Sequence, residues 1–226
     1  MKITTIMILA AGLGKRMKHY TKKVPKPLIK IGNETLIEKI IKKIEKNNFK
    51  KIVINIFYLK NKIKKELNNK FKVKILYSEE KALLNTGGGI KNALKILNSR
   101  EFFVINSDII IEDKNNNPFK KLLNFWDPKR MDALLLLHPK KNLRGDFNID
   151  KKKLIIDNKN DSKYIFTGLQ ILKSKLFLEI KKKKFPLSLI YDGLIKKRRV
   201  FGVVFNGKWF HLGTIDTLKE YKKMIK

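Results

Sequence analysis

Ile8-Leu9-Ala10-Ala11-Gly12-Leu13-Gly14-Lys15-Arg16-Met17, followed by Pro25-Lys26-Pro27-Leu28, decides how this chain is read. A short apolar run ends in small residues and Gly-x-Gly, and two cations follow at once. Such a run is a buried strand, and glycines after it let backbone approach a ligand with no Cβ in the way. Successive N–H groups in a loop of this kind form a concavity for anions, and Lys15 and Arg16 add charge beside it. The stretch reads as a phosphate cradle. It is not the dinucleotide fingerprint, because position 17 is Met rather than Gly, and it lacks the closing Gly-Lys-Ser/Thr of a P-loop.

Working outward, strands are expected at 3–10, 52–57, 73–77, 102–105, 133–137, 164–172, 200–205 and 209–213, with the sixth interrupted at Thr167-Gly168. Helices are expected at 35–47, 61–68, 86–97, 119–126, 186–196 and 214–225. The first shows the periodicity most clearly, with Leu36, Ile37, Ile40, Ile41 and Ile44 on one stripe. Residues 145–157 read as a polar hairpin. Strand and helix alternate and the strands are near-continuous apolar runs. That pattern predicts an α/β protein with a Rossmann-like, mostly parallel sheet, helices on both faces and a small β-hairpin insertion. No repeat or linker divides the chain, so one domain is expected over 1–226.

Charge is the extreme feature: 53 basic residues against 20 acidic ones give +33. Only Arg16, Arg100, Arg130, Arg144, Arg198 and Arg199 are arginines, so the excess is lysine. Such a field attracts polyanions, but nucleic-acid readers favour the planar Arg fork, and no recognition-helix, zinc or stacking-platform signature accompanies it. A solvated lysine surface is the expectation, with no specific nucleic-acid partner. There is no cysteine, which suits a reducing cytoplasm and excludes disulfides and thiolate metal sites. No apolar run approaches the roughly 18 residues of a membrane helix. Ile3 to Ala11 superficially resembles a signal peptide, but cleavage after Ala11 would discard the cradle, so it is read as a strand.

In open α/β sheets ligands bind at the carboxyl ends of the strands. The cradle, Ser78 and Glu79, and Asn106 and Asp108 all follow predicted strands, so they are expected to converge. Asp108 alone reads as a turn or helix-cap aspartate; opposite a phosphate loop in the same crevice it reads instead as a ligand for Mg²⁺, which takes one or two carboxylates plus substrate phosphates.

Leu-Ala-Ala-Gly-x-Gly-x-Arg-Met with Pro-Lys-Pro-Leu closely resembles the sugar-1-phosphate nucleotidyltransferase family, of the GT-A-like fold. The likeness continues through Asn85-Thr86-Gly87-Gly88-Gly89-Ile90, Val104-Ile105-Asn106-Ser107-Asp108, Phe166-Thr167-Gly168 and Trp209-Phe210-His211-Leu212-Gly213-Thr214. Within the family the chain looks most like the N-acetylmuramate-1-phosphate uridylyltransferases of cell-wall recycling, with mannose- or glucose-1-phosphate enzymes as the near alternatives. The resemblance implies attack of a sugar 1-phosphate on the α-phosphorus of a nucleoside triphosphate, UTP by likeness, with Mg²⁺ as cofactor. It implies that Ala10, Ala11 and Gly12 hold base and ribose and that Gly14 lies at the phosphates. Arg16 would steady the leaving pyrophosphate and Lys26 would neutralise the phosphates. Asp108 would hold the metal, Glu79, Thr86 and Gly87 would contact base or phosphate, and Asn106, Gly145, Thr167 and Gly168 would line the sugar-phosphate side. Many members carry Trp-x-Asp-x-Gly-Thr, whose Asp is a second metal ligand; here that place is His211, a poor ligand for Mg²⁺. The substitution leaves open a second metal contact, a hydrogen bond to phosphate, or a non-catalytic nucleotide- or sugar-phosphate-binding protein.

Overall fold

The computed structural model describes residues 3–112, 117–139, 145–150, 155–156 and 162–225. In chain order these form β1 (Thr5–Leu9), a hairpin of β2 (Lys30–Ile31) and β3 (Glu34–Thr35), α1 (Leu36–Glu45), β4 (Lys51–Ile56), α2 (Lys60–Leu67), β5 (Lys74–Glu79) and α3 (Asn85–Leu97). Then come β6 (Glu101–Asn106), β7 (Ile109–Glu112), α4 (Pro118–Phe125), β8 (Ala133–Pro139), β9 (Asn148–Ile149), β10 (Ile155–Ile156) and β11 (Tyr164–Lys173). The chain ends with α5 (Ser188–Lys196), β12 (Val200–Val204), β13 (Lys208–His211) and α6 (Ile215–Met224).

Seven strands make the central sheet in the order β12-β8-β11-β6-β1-β4-β5. Only β11 runs against its neighbours, so the sheet is mostly parallel. The strands alternate between two cores, as the period of a pleated strand requires. Ile6, Ile8, Ile52, Ile54, Phe103 and Ile105 pack on the side of α1 and α4. Met7, Val53, Phe102 and Val104 pack on the side of α3 and α5. A smaller core gathers Met17, Ile31 and Leu36 with Leu218 and Tyr221 of α6. Two helices begin where sequence chemistry places them: Thr35 and Glu38 form a reciprocal capping box ahead of α1, and Thr214 with Thr217 does the same ahead of α6.

Three details depart from or extend the sequence reading. The interruption expected at Thr167-Gly168 is a register shift of β11 against β8, between Phe166 and Gln170. The expected hairpin is represented by the antiparallel pair β9–β10; residues 151–154 and 157 of it lie outside the described ones. β7 was not anticipated. It pairs antiparallel with β13, apart from the main sheet, with His211 opposite Ile109. Among the described residues no helix is long and apolar enough to cross a membrane.

Candidate active site

Leu9 and Asn106, the last residues of the parallel strands β1 and β6, and Asn55, next to last in β4, share one cleft of about 590 Å³ with Gly12, Arg16, Lys26, Thr86 and Asp108. This is where an open α/β sheet leaves a crevice. After β1 the N–H of Ala10 is donated to Asn55 Oδ1 at 2.8 Å. The N–H groups of Ala11, Gly12, Leu13 and Gly14 meet no acceptor among the described residues, so the loop presents a run of uncommitted donors. Gly14 closes the loop in the left-handed conformation (φ 65°), and a Cβ there would stand 2.8 Å from Thr21 Cγ2. Arg16 is exposed at the rim, with no ion-pair partner among the described residues.

Pro25-Lys26-Pro27-Leu28 forms a short 3-10 turn whose fixed prolines carry Lys26 inward; it is 8% exposed. Its Nζ lies 2.5 Å from Asp108 Oδ2. Asp108 precedes β7, and its carbonyl accepts the Leu212 N–H at 2.8 Å just past β13. The β7–β13 pairing thereby brings His211 beside the acid, with Nε2 3.3 Å from the same Oδ2. Burial raises the Asp108 pKa, but the His211 hydrogen bond and the Lys26 charge outweigh it and hold the carboxyl well below the usual carboxylate range. Both partners converge on Oδ2, so Oδ1 keeps no protein partner among the described residues.

The remaining expectations divide. Asn106 and Thr86 line the cleft; Thr86 Oγ1 also accepts the Leu187 N–H at 2.9 Å, tying α3 to the segment that brings Pro186 to the cleft. Glu79 does not reach the cleft. It is exposed and paired with Lys60 at 2.7 Å and with Lys64, whose hydrogen bonds hold its pKa at about 2. The acid at this strand end is its neighbour Glu80, which is 4% exposed. Adjacent residues leaving a strand face opposite ways, so one of the two had to point outward. Gly87 packs against the Phe185 ring and is not among the residues around the cleft. Thr167 is fully buried, its Oγ1 donating to the Leu136 carbonyl at 2.9 Å and accepting from Leu169 N–H, so it stabilises the irregularity in β11. Gly168 (φ 88°) backs onto Asn106, where a Cβ would stand 2.8 Å from Nδ2. Gly145 packs on the Ser162 backbone, away from the cleft. Asn55 and Glu80 escaped the sequence reading, although a polar residue inside Ile52-Val53-Ile54-Asn55-Ile56 was a signal for one of them.

Uncommitted backbone donors, the three cations Lys15, Arg16 and Lys26, and an ionised aspartate around one crevice define a nucleotide-binding α/β transferase site. The chain belongs to the nucleotidyl transferase family, which it matches over residues 5–226. It is 32% identical over 221 residues to the N-acetylmuramate alpha-1-phosphate uridylyltransferase of Neisseria meningitidis, covering 95% of each chain. It is 29% identical to the protein of the same name from Caulobacter vibrioides, over 92% of this chain and 90% of that one. Its fold superimposes on HddC from Yersinia pseudotuberculosis with a TM-score of 0.83 at 24% identity, over 99% of this chain and 100% of that one.

Proposed function

We propose that this protein transfers UMP from UTP to a sugar 1-phosphate, N-acetylmuramate α-1-phosphate first among them, in the cytoplasm where the triphosphate is made. An oxygen of the sugar phosphate attacks the α-phosphorus, the bond to the bridging oxygen of the β-phosphate breaks, and pyrophosphate leaves with the electron pair. Little covalent chemistry falls to the protein, so its contribution is positioning and charge. Donors from Ala11 to Gly14 receive the nucleotide, and Arg16 at the rim grips the departing pyrophosphate through two guanidinium N–H groups. Lys26 moves from Asp108 toward the phosphates as they arrive. Asn106 contacts the sugar phosphate, held in place by Gly168 behind it.

The residues fit a Mg²⁺ ion whose shell is mostly substrate and water. Among the described residues no group of three or more His, Cys, Asp or Glu side chains surrounds a metal position. Asp108 offers one uncommitted oxygen, which suits an ion that takes one or two carboxylates plus phosphates. Bound there, Mg²⁺ would supply Lewis-acid charge to the α- and β-phosphates. His211 then serves as a hydrogen-bond partner that orients Asp108.

The observation that carries this reading is the Lys26–Asp108 pair sharing one cleft with the glycine loop. It is supported by the names of the two relatives matched over nearly the whole chain. The test is pyrophosphate release from a panel of triphosphates and sugar 1-phosphates, with products identified by mass. UDP-N-acetylmuramate is expected. Turnover only with mannose or glucose 1-phosphate would reassign the acceptor, and saturable UTP binding without any product would make the protein a sensor.

A further inference from the structure

Beneath the glycine loop lies a buried polar pair that the reaction itself does not require. Asn55 is the next-to-last residue of β4, opposite Leu9 of β1 and Ser78 of β5. Its Oδ1 accepts the Ala10 N–H at 2.8 Å, and its Nδ2 donates to Glu80 Oε1 at 2.7 Å. Glu80 Oε2 in turn accepts the Leu84 N–H at 3.0 Å, just ahead of α3. Asn55 is 3% and Glu80 4% exposed, and Glu80 has no ion-pair partner among the described residues. The third glycine of Gly87-Gly88-Gly89 fits the same feature: a Cβ on Gly89 would stand 2.7 Å from Glu80 Oε1 and 2.8 Å from Asn55 Nδ2.

We infer that Asn55 is a positioning residue for the nucleotide: through Ala10 it sets the start of the donor loop, and through Glu80 it sets the 84–86 segment across the cleft. Each hydrogen bond has one direction. Backbone N–H groups come in from both loops, so the side chains between them must offer acceptors outward and one donor inward. A buried amide paired with a carboxylate meets that demand; two carboxylates cannot. Apolar replacements would fill the same space but leave the Ala10 and Leu84 N–H groups without acceptors, so what the pair adds is the hold on these two segments. The pair lines the cleft and joins its two nucleotide-facing loops, so its loss falls on one substrate.

The inference rests on the reading of the loop as the triphosphate site, and the experiment separates the two. Asn55→Asp places a second carboxylate against Glu80. Asn55→Asp combined with Glu80→Gln exchanges the roles and rebuilds all three hydrogen bonds, because the new amide donates to the new carboxylate and still accepts from Leu84. Folding is checked by circular dichroism and thermal melting. The single variant is expected to raise the KM for the triphosphate about tenfold or more, as lost buried hydrogen bonds do. The KM for the sugar 1-phosphate should stay within about twofold, and the double variant should return the triphosphate KM to within about threefold of the parent. Equal effects on both KM values, no effect of the single change, or no rescue overturns the inference. Should the single variant fail to fold, the folded double variant decides by its triphosphate KM alone; if neither folds, the pair is a core device and the inference falls. If the parent protein turns over no substrate pair, the functional reading fails. The variants are then compared by calorimetric UTP affinity, where unchanged binding, or none by the parent, overturns the inference too.

Discussion

Lys26 Nζ and Asp108 Oδ2 stand 2.5 Å apart although 82 positions separate them in the chain. The lysine arrives on a proline-braced turn and the aspartate on the turn between β6 and β7, so the contact closes the cleft between two independent supports. With the side chains only 10% and 17% exposed, the charges are weakly screened. Each neutralises the other, and in the proposed reaction arriving phosphate would draw the lysine away and release the acid. The pair holds both groups ready while avoiding an isolated buried charge.

Two substitutions separate their roles. Asp108→Asn keeps the shape and removes the charge, so the rate of pyrophosphate release should fall by about three orders of magnitude, the scale expected for losing a metal-holding or charge-stabilising group. Lys26→Met keeps the bulk and should raise the triphosphate KM about tenfold to a hundredfold, in line with loss of one charge-assisted contact. Steady-state kinetics on both variants checks this. Near-normal turnover by Asp108→Asn would remove the acid from the mechanism.

His211 makes a metal prediction. Chelation of divalent ions should abolish activity and added Mg²⁺ should restore it. His211→Asp would place a second carboxylate beside Asp108, and the Mg²⁺ concentration giving half-maximal rate should fall by about tenfold, since Mg²⁺ prefers carboxylate oxygen to imidazole. A Mg²⁺ titration of rate reads the change. An unchanged midpoint would place position 211 outside the metal's reach.

Much of the scaffold was legible because its elements are long and periodic. Apolar runs such as Ile52 to Ile56 and Ala133 to Leu137 declared buried parallel strands, and the stripe through Ile37, Ile41 and Ile44 declared α1. The loop after β1, Asn106 and Asp108 were legible as groups sharing one cleft, because strand ends in such a sheet open on one crevice; Lys26 and Thr86 were legible only through the motifs that carry them. What escaped was set by tertiary partners. The choice of Glu80 over Glu79 depends on which way each residue leaves β5, and sequence cannot count that parity without the strand's last residue. Gly87 read, with Thr86, as a donor for a ligand, yet it faces Phe185, while Gly88 faces the Lys183 carbonyl and Gly89 the Asn55–Glu80 pair. β7 is four residues long and pairs only with a strand about 100 positions later, too short and too distant for periodicity to reveal.

Gly14 offers a test of the loop's backbone. Its φ of 65° is strained for any L side chain, and its Cβ would press on Thr21 Cγ2 and on Lys26 Cβ, at 2.8 and 3.2 Å. Gly14→Ala should cost about 1–2 kcal/mol of stability. It should also raise the triphosphate KM more than that of the sugar phosphate, because Lys26 is pushed from its place. Thermal melting and the two KM values check it; a variant with parent kinetics would mean the loop tolerates the displacement.

Asp132 supplies the contrasting case, a charged cluster remote from the chemistry. It precedes β8, at the end of the sheet opposite the cleft. Its Oδ2 accepts from Arg199 Nε at 3.0 Å and its Oδ1 from Arg199 Nη2 at 3.1 Å, with Lys173 Nζ at 3.0 Å and Lys175 Nζ at 3.1 Å from Oδ1. Burial raises its pKa, but the Arg199 fork and the two lysines outweigh burial and hold it well below the usual carboxylate range. A carboxyl depressed on folding stabilises the protein above its unfolded pKa of about 3.9, and that contribution is lost as pH falls through the folded value. Asp132→Asn should therefore be less stable than the parent by about 2 kcal/mol at pH 7, a value below that of a fully buried pair because Arg199 and Lys175 are partly in water. From about pH 4 downward the gap should narrow progressively, as the parent's unfolded state takes up a proton that its folded state does not yet bind. Denaturant melts at pH 7 and pH 3 measure the gap, and activity assays at pH 7 should show parent kinetics in the variant. A gap of equal size at both pH values would mean that the cluster acts through packing and not through charge.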